Sequence, residues 1–225
     1  MLTKLLAGAA AGAVVLVMGG CGGDDSDPPA SPQSSNGLSF PVGARPLYLP
    51  QYLCGQVGPA TLEVMADLNQ FWQSSVVACT CQSDAPGICQ GGAFVGTDPG
   101  YIYFDVYALE RLDQISGSRL PADMVMAHEF GHSVQGWLGV GTVGKFRELQ
   151  ADCLAGFYVG SRIRRGGVSQ SDISSTFATA CSYGDPYLAP WYAPGTHGVC
   201  QERVAALNQG MIGNLAGALP LQACQ

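Results

Sequence analysis

The amino-acid sequence predicts an α+β protein in which a small β-sheet lies beside several helices. Apolar residues recur at spacings of three and four over residues 59–75, as in an amphipathic helix that buries one face. Two short apolar segments, 91–96 and 100–105, flank the turn segment 97–99, which is typical of a β-hairpin. The chain has 225 residues, 47% of them apolar, which suffices for a single core.

Further helices are predicted downstream, where helical periodicity alternates with glycine-rich breaks. Pro121 and Asp123 both favour the first turn of a helix. The glycines between residues 136 and 144 end that helix near Gln135 or Trp137. The remaining helices are predicted over residues 107–115, 146–165, 169–180 and 200–211.

The first 20 residues predict a signal peptide, because Lys4 precedes an apolar stretch too short to span a membrane as a helix. Residues 17–21, Val-Met-Gly-Gly-Cys, resemble the bacterial lipobox, in which cleavage leaves an acylated cysteine, here Cys21. The alternative is an ordinary secretory signal in which Cys21 has no role. Residues 21–38, rich in Asp, Pro and Ser, predict a flexible tether, so residues 39–225 form the single folded domain.

These features predict an exported lipoprotein of the cell envelope that contacts the membrane through its N-terminal lipid. Depending on the host, it would lie at the outer membrane facing the periplasm or on the outer face of the plasma membrane. The formal net charge of −7, without a basic stripe, excludes nucleic acid as a partner. Residues 139–146 nearly match a phosphate-binding loop, but Phe146 replaces the required hydroxyl residue, so no nucleotide is expected.

The chain contains nine cysteines, of which eight remain once Cys21 is assigned to the lipid. An even number in an exported protein predicts up to four disulfides, whose pairing does not follow from spacing. The alternative for Cys79, Cys81 and Cys89 is a structural zinc knuckle, although their spacing does not favour one. The eight candidate disulfide cysteines are Cys54, Cys79, Cys81, Cys89, Cys153, Cys181, Cys200 and Cys224.

The segment His128-Glu129-Phe130-Gly131-His132 lies inside the helix that Pro121 begins. Residues four apart lie one helical turn apart on the same face, so both imidazoles can bind one metal ion. Neutral imidazole is a good zinc ligand, and Glu129 lies one step round the helix, where a general base is required. The motif therefore predicts one Zn²⁺ per chain with Glu129 as the catalytic base.

A third ligand is expected on the next helix, where Glu148 and Asp152 lie four residues apart on one face. One carboxylate can bind zinc while the other accepts the ring N–H of a ligand histidine and fixes its tautomer. The sequence favours Glu148 as the ligand and Asp152 as the supporting residue, and it leaves the reverse assignment open.

Residues 124–135 together with 148–156 resemble the bacterial neutral zinc metallopeptidase family. Weaker similarity extends the resemblance over roughly residues 60–212, where Ser133 and the turn at 97–100 depart from the family's pattern. The resemblance implies a disulfide-linked zincin-like fold, in which a small sheet or hairpin packs against the HExxH helix and a glutamate-bearing helix. It also implies the zinc ligands His128, His132 and Glu148 of the gluzincin class, with Glu129 as base.

The expected activity is hydrolysis of a peptide or protein substrate by a water molecule that zinc activates. The strand around Tyr103 is a candidate to pair with an extended substrate, and His197 is a candidate donor to the oxyanion. The alternative is a non-catalytic or latent zinc-binding envelope lipoprotein that acts through a protein partner. The intact Glu129 argues against it, because a structural zinc site needs no base.

Overall fold

A computed structural model of the chain describes residues 58–80, 93–95, 100–104, 106–141, 143–187 and 196–225. The predicted signal peptide, the lipidation site Cys21 and the tether lie outside the described residues, as do the predicted domain boundaries at residues 20 and 38. Three of the candidate disulfide cysteines also lie outside them, namely Cys54, Cys81 and Cys89.

Seven helices lie in the described part of the chain, and six of them confirm predicted helices. Gly139, with a positive φ of 63°, ends the third helix, while a capping box between Ser169 and Asp172 begins the fifth. None of the described helices is long and apolar enough to cross a membrane. The helices are α1 Pro59–Trp72, α2 Val106–Ser116, α3 Leu120–Leu138, α4 Lys145–Arg165, α5 Gln170–Ser182, α6 Cys200–Leu215 and the unpredicted α7 Pro220–Ala223.

The sheet has three strands in the order β1-β3-β2. Strands β2, Ala93–Val95, and β3, Tyr101–Phe104, form the predicted antiparallel hairpin. Strand β1, Val77–Thr80, was not predicted and pairs parallel to β3. The described residues, mostly helical with this small sheet, confirm the α+β class.

The prediction that the strand around Tyr103 pairs with an extended substrate is wrong. Tyr103 lies in β3, the central strand, whose two sides pair with β1 and β2. A strand with neighbours on both sides has no free row of backbone groups for a further strand.

Helices α3 and α4 pass through the core, and α6 packs closely along α4. Two glycines permit this contact: a Cβ on Gly156 would lie 1.9 Å from the carbonyl oxygen of Leu207, and one on Gly210 would lie 1.8 Å from that of Cys153. Real Cβ atoms do not approach so closely, so the backbones of α4 and α6 touch only because both positions lack a side chain. This contact fixes where the side chains of α6 lie along the axis of α4.

Two disulfides are described, Cys153–Cys224 and Cys181–Cys200. The first joins α4 to the C-terminal residues, and the second joins the end of α5 to the start of α6. Cys79 is also disulfide-bonded. Because a disulfide sulfur is not a thiolate ligand, this excludes the zinc-knuckle alternative at Cys79.

Candidate metal centre

The two histidines of the HExxH motif lie one turn apart on α3 and face the same carboxylate on α4. The ring centroids of His128 and His132 are 4.8 Å apart, with the ring planes at 87°. The Nε2 atom of His128 is 3.2 Å from Oε2 of Glu148, and the Nε2 atom of His132 is 3.4 Å from the same oxygen. Both histidines are more than 90% buried.

These distances fit a metal ion bound between the three side chains. Zinc binds nitrogen and oxygen ligands at about 2.0–2.2 Å in a tetrahedral arrangement, which separates neighbouring ligand atoms by roughly 3.3–3.6 Å. The ligand atoms of His128, His132 and Glu148 all lie within 4.8 Å of one another. The group can therefore hold a metal ion.

Asp152 lies on the other side of the His128 ring. Its Oδ1 atom is 2.8 Å from His128 Nδ1, and the aspartate is completely buried. A buried carboxylate next to Nδ1 accepts a hydrogen bond from that nitrogen, so in the neutral ring the proton stays on Nδ1 and Nε2, directed at Glu148, is the nitrogen that can bind a metal. Of the two carboxylates that the sequence proposed as third ligand, Glu148 therefore faces the candidate metal position and Asp152 supports a histidine.

His132 is oriented in the same sense by an amide. Oε1 of Gln135 is 2.8 Å from His132 Nδ1, so the ring donates from Nδ1 and again leaves Nε2 available. The amide nitrogen of Gln135 donates to the backbone oxygen of Arg147 and to Oε1 of Gln150, which fixes the orientation of the amide. Helix α4 thus carries the proposed ligand Glu148 and also fixes the Gln135 amide of α3 that orients His132.

Arg203 from α6 completes the support of His128. Its Nε and Nη2 atoms donate to Oδ2 and Oδ1 of Asp152 at 2.8 and 2.7 Å, and its Nη1 donates to the backbone oxygen of Tyr183. Sequence reasoning assigned no role to Arg203 or Gln135. The available signal for Arg203 was chemical, since a buried aspartate requires a partner and Arg203 is the only basic residue in 200–211.

The charges at the site favour a divalent cation. Among the described residues of the site, the carboxylates of Glu129, Glu148 and Asp152 face the guanidinium of Arg203, so with neutral imidazoles these groups carry two net negative charges. Burial lowers the pKa of His128, but the charge of Asp152 and the hydrogen bonds to both carboxylates raise it to about 10. Burial raises the pKa of Glu148, and its hydrogen bonds to both histidines more than offset this and lower it.

Glu129 follows His128 on α3 and is 8% exposed. The charges of His128, His132 and Glu148 all act on its carboxyl group, which therefore belongs to the site. Burial raises the pKa of Glu129 above its usual value, and the charges of His128 and His132 offset part of this effect. A carboxylate with a raised pKa is a stronger proton acceptor than an exposed glutamate. This is the property expected of a general base.

His197 lies on the segment between α5 and α6 and is electrostatically coupled to Glu129. Asp185 accepts hydrogen bonds from the backbone N–H groups of His197 and Gly198, and its Oδ1 atom is 3.6 Å from His197 Nδ1. The His197 side chain is 45% exposed. The structure therefore places the imidazole beside Asp185 and open to solvent.

Comparisons of the chain with family models, with curated proteins and with solved structures found no match. The structure brings together His128, Glu129, His132, Glu148 and Asp152, as the sequence predicted, and it adds Gln135 and Arg203 as supporting residues.

Proposed function

We propose that the protein is a zinc-dependent peptidase with a zincin-like active site, similar to the bacterial neutral zinc metallopeptidases. The observation that carries the proposal is the convergence of His128 Nε2 and His132 Nε2 on one oxygen of Glu148, with the carboxylate of Glu129 on the same helix as the two histidines. Catalytic zinc sites use three protein ligands and keep a fourth position for water or substrate. A structural site would instead be closed by a fourth side chain.

The donor set supports zinc as the metal. Two imidazole nitrogens and one carboxylate oxygen, spaced for tetrahedral coordination, suit zinc better than calcium or magnesium, which prefer six or more oxygen ligands. In the proposed assignment His128, His132 and Glu148 hold one zinc ion per chain. Asp152 and Gln135 keep the two rings in the tautomer that binds it.

A bound zinc ion would supply a Lewis acid for the substrate carbonyl and lower the pKa of water to about 7. Glu129 then takes a proton from the attacking water, which its raised pKa favours, and returns it to the leaving amine nitrogen. His197, directed by Asp185, donates a hydrogen bond to the carbonyl oxygen as negative charge develops there. The products are a carboxylic acid and an amine from one peptide bond.

The proposed setting is the bacterial cell envelope, with the domain tethered by a lipid on Cys21 and a peptide or protein as substrate. The apolar stretch at residues 5–18 and the lipobox-like segment at 17–21 support this location. Disulfide bonds at Cys153–Cys224 and Cys181–Cys200 suit an oxidising compartment.

The deciding experiment compares the full chain, purified with its disulfides intact, with its Glu129→Gln variant on a diverse peptide library. Zinc content is measured in both. We expect equal zinc, cleavage by the wild type, and a loss of about 10²–10⁴-fold in the variant, the range that general acid–base catalysis contributes. Equal cleavage by both proteins would overturn the role of Glu129.

A wild type that binds one zinc and cleaves no peptide would favour the alternative, a non-catalytic or latent zinc protein that acts through a partner. A wild type that binds no zinc would overturn the metal site itself. A control variant, His197→Ala, should retain its zinc, because His197 is not one of the proposed ligands.

A further inference from the structure

The carboxylate of Asp152 is shared between His128 and Arg203, and the sharing is asymmetric. Oδ1 of Asp152 lies 2.8 Å from His128 Nδ1 and also accepts from Arg203 Nη2 at 2.7 Å. Oδ2 accepts from Arg203 Nε at 2.8 Å. The guanidinium therefore binds both oxygens of the carboxylate and fixes its orientation. A rotation of Asp152 that released His128 would also break this bidentate ion pair.

Arg203 is itself held from two further sides. Its remaining nitrogen, Nη1, donates to the backbone oxygen of Tyr183, just beyond α5. Its own helix is pressed against α4 at Gly156 and Gly210, where added Cβ atoms would overlap backbone atoms. The side chain is 6% exposed, so neither water nor another rotamer competes strongly for its donors.

We infer that Arg203 is a positioning residue of the metal centre, which holds His128 in its metal-binding orientation through Asp152. When Nε2 of His128 binds the metal, the hydrogen bond from Nδ1 to Asp152 is the one that orients the ring, and that bond is only as well directed as the carboxylate that accepts it. Residues that orient metal ligands in this way typically change metal affinity by 10–100-fold when they are substituted. This inference depends on the metal-binding part of the proposed function and not on the peptidase activity.

The informative substitution is Arg203→Lys, because it separates geometry from charge. Lysine keeps the positive charge beside Asp152 but has a single donor group in place of the planar fork. A neutral residue in place of Arg203 would also remove a positive charge that repels a cation. The resulting gain in zinc affinity would obscure the loss that comes from the changed orientation of His128. We therefore expect Arg203→Lys to weaken zinc binding by at least tenfold in competition with a chelator.

The matched control is Arg162→Lys. Arg162 is a partly buried arginine of α4 that also pairs with a buried aspartate, Asp123, at 3.1 Å, but it lies at the opposite end of α4 from Glu148. Both substitutions should lower the free energy of unfolding of the zinc-free protein. Only Arg203→Lys should change the zinc dissociation constant, because a loss of general stability does not act on His128 alone.

A second readout tests whether the effect passes through Asp152. In an Asp152→Asn background the amide oxygen can still accept from His128, while Arg203 loses its bidentate partner. Arg203→Lys should then change the zinc dissociation constant by less than twofold, as expected for residues that act in series. By NMR, the Nδ1 proton of His128 in the zinc-loaded protein should exchange with solvent faster in Arg203→Lys than in the wild type.

An unchanged zinc dissociation constant in Arg203→Lys would overturn the inference while leaving the proposed function intact. An equal loss in the presence and absence of Asp152→Asn would also overturn it, since Arg203 would then act by another route. Failure of the wild type to bind zinc would overturn the proposed function together with this inference.

Discussion

Oδ1 of Asp152 lies 2.8 Å from Nδ1 of His128, on the side of the ring opposite Nε2. The Nε2 atom of His128 lies 3.2 Å from Oε2 of Glu148, which precedes Asp152 by one turn on α4. One turn of α4 thus supplies both Asp152, which fixes the tautomer of His128, and Glu148, which faces the metal-binding nitrogen of His128. The i,i+4 spacing of the carboxylates on α4 matches the i,i+4 spacing of the histidines on α3.

The two carboxylates of α4 should therefore respond differently to neutralisation. Glu148→Gln removes the anionic ligand, and we expect zinc affinity to fall by at least about 100-fold, because an amide is a poor ligand for zinc. Asp152→Asn keeps an acceptor for His128 Nδ1, so the loss should be nearer tenfold. Chelator competition on both variants measures this. A larger loss in Asp152→Asn would exchange the two assignments.

Gln135 should affect zinc binding although it cannot contact the ion. Gln135→Leu removes the acceptor 2.8 Å from His132 Nδ1, so the ring loses its fixed tautomer, and we expect zinc affinity to fall about tenfold. Gln209→Leu is the control, since that glutamine is exposed on α6 and should leave the dissociation constant unchanged. Equal affinities of the wild type and Gln135→Leu would show that the Gln135 amide is not needed to orient His132.

Gly210→Ala should destabilise the fold, because its Cβ would lie 1.8 Å from the carbonyl oxygen of Cys153. Separating α4 from α6 disrupts their packing, and overpacking of this kind costs about 1–3 kcal/mol or more of unfolding free energy. Chemical denaturation with the disulfides intact measures it. Gly141→Ala is the control: its Cβ meets nothing within 4 Å, so a change within about 0.5 kcal/mol is expected.

Asp67 should make part of the stability dependent on pH. Burial raises its pKa, but hydrogen bonds from Arg165 and Tyr158 outweigh burial and lower it. Because the pKa of Asp67 is lower in the folded state, its ionised form stabilises the protein fully at pH values above the unfolded-state pKa of about 3.9. This stabilisation is lost as the pH falls through the folded-state pKa. Asp67→Asn should thus cost about 1–2 kcal/mol at pH 7 and progressively less below about pH 4.

Urea unfolding at pH 7 and pH 3 tests this dependence. Glu63→Gln is the comparison, because Glu63 is an exposed carboxylate of the same helix, α1, and should change the free energy of unfolding little at either pH. A cost for Asp67→Asn that is the same at both pH values would contradict the assignment of the effect to ionisation.

Local features of the sequence were sufficient to predict the helices and the metal-binding motif. Helical periodicity, the start signal at Pro121 and Asp123, and the glycine breaks located α1 to α6 to within a few residues, since all of these signals are local in the chain. The spacing of His128 and His132 placed both rings on one face of α3, because the geometry of a helix depends only on residue separation. The same rule placed Glu148 and Asp152 together on α4.

Long-range packing was needed for the remainder. Strand β1 is only four residues long, and its parallel partner β3 lies beyond β2 in the chain, so no local pattern indicated the pairing or the central position of Tyr103. Arg203 is 51 residues from Asp152 and reaches it because the backbones of α4 and α6 touch at Gly156 and Gly210.

The sequence alone determined which residues can bind a metal, since ligand chemistry and helical spacing are local. Which carboxylate faces the metal and how His128 is supported by Asp152 and Arg203 depended on how α3, α4 and α6 pack, because those contacts join residues far apart in the chain.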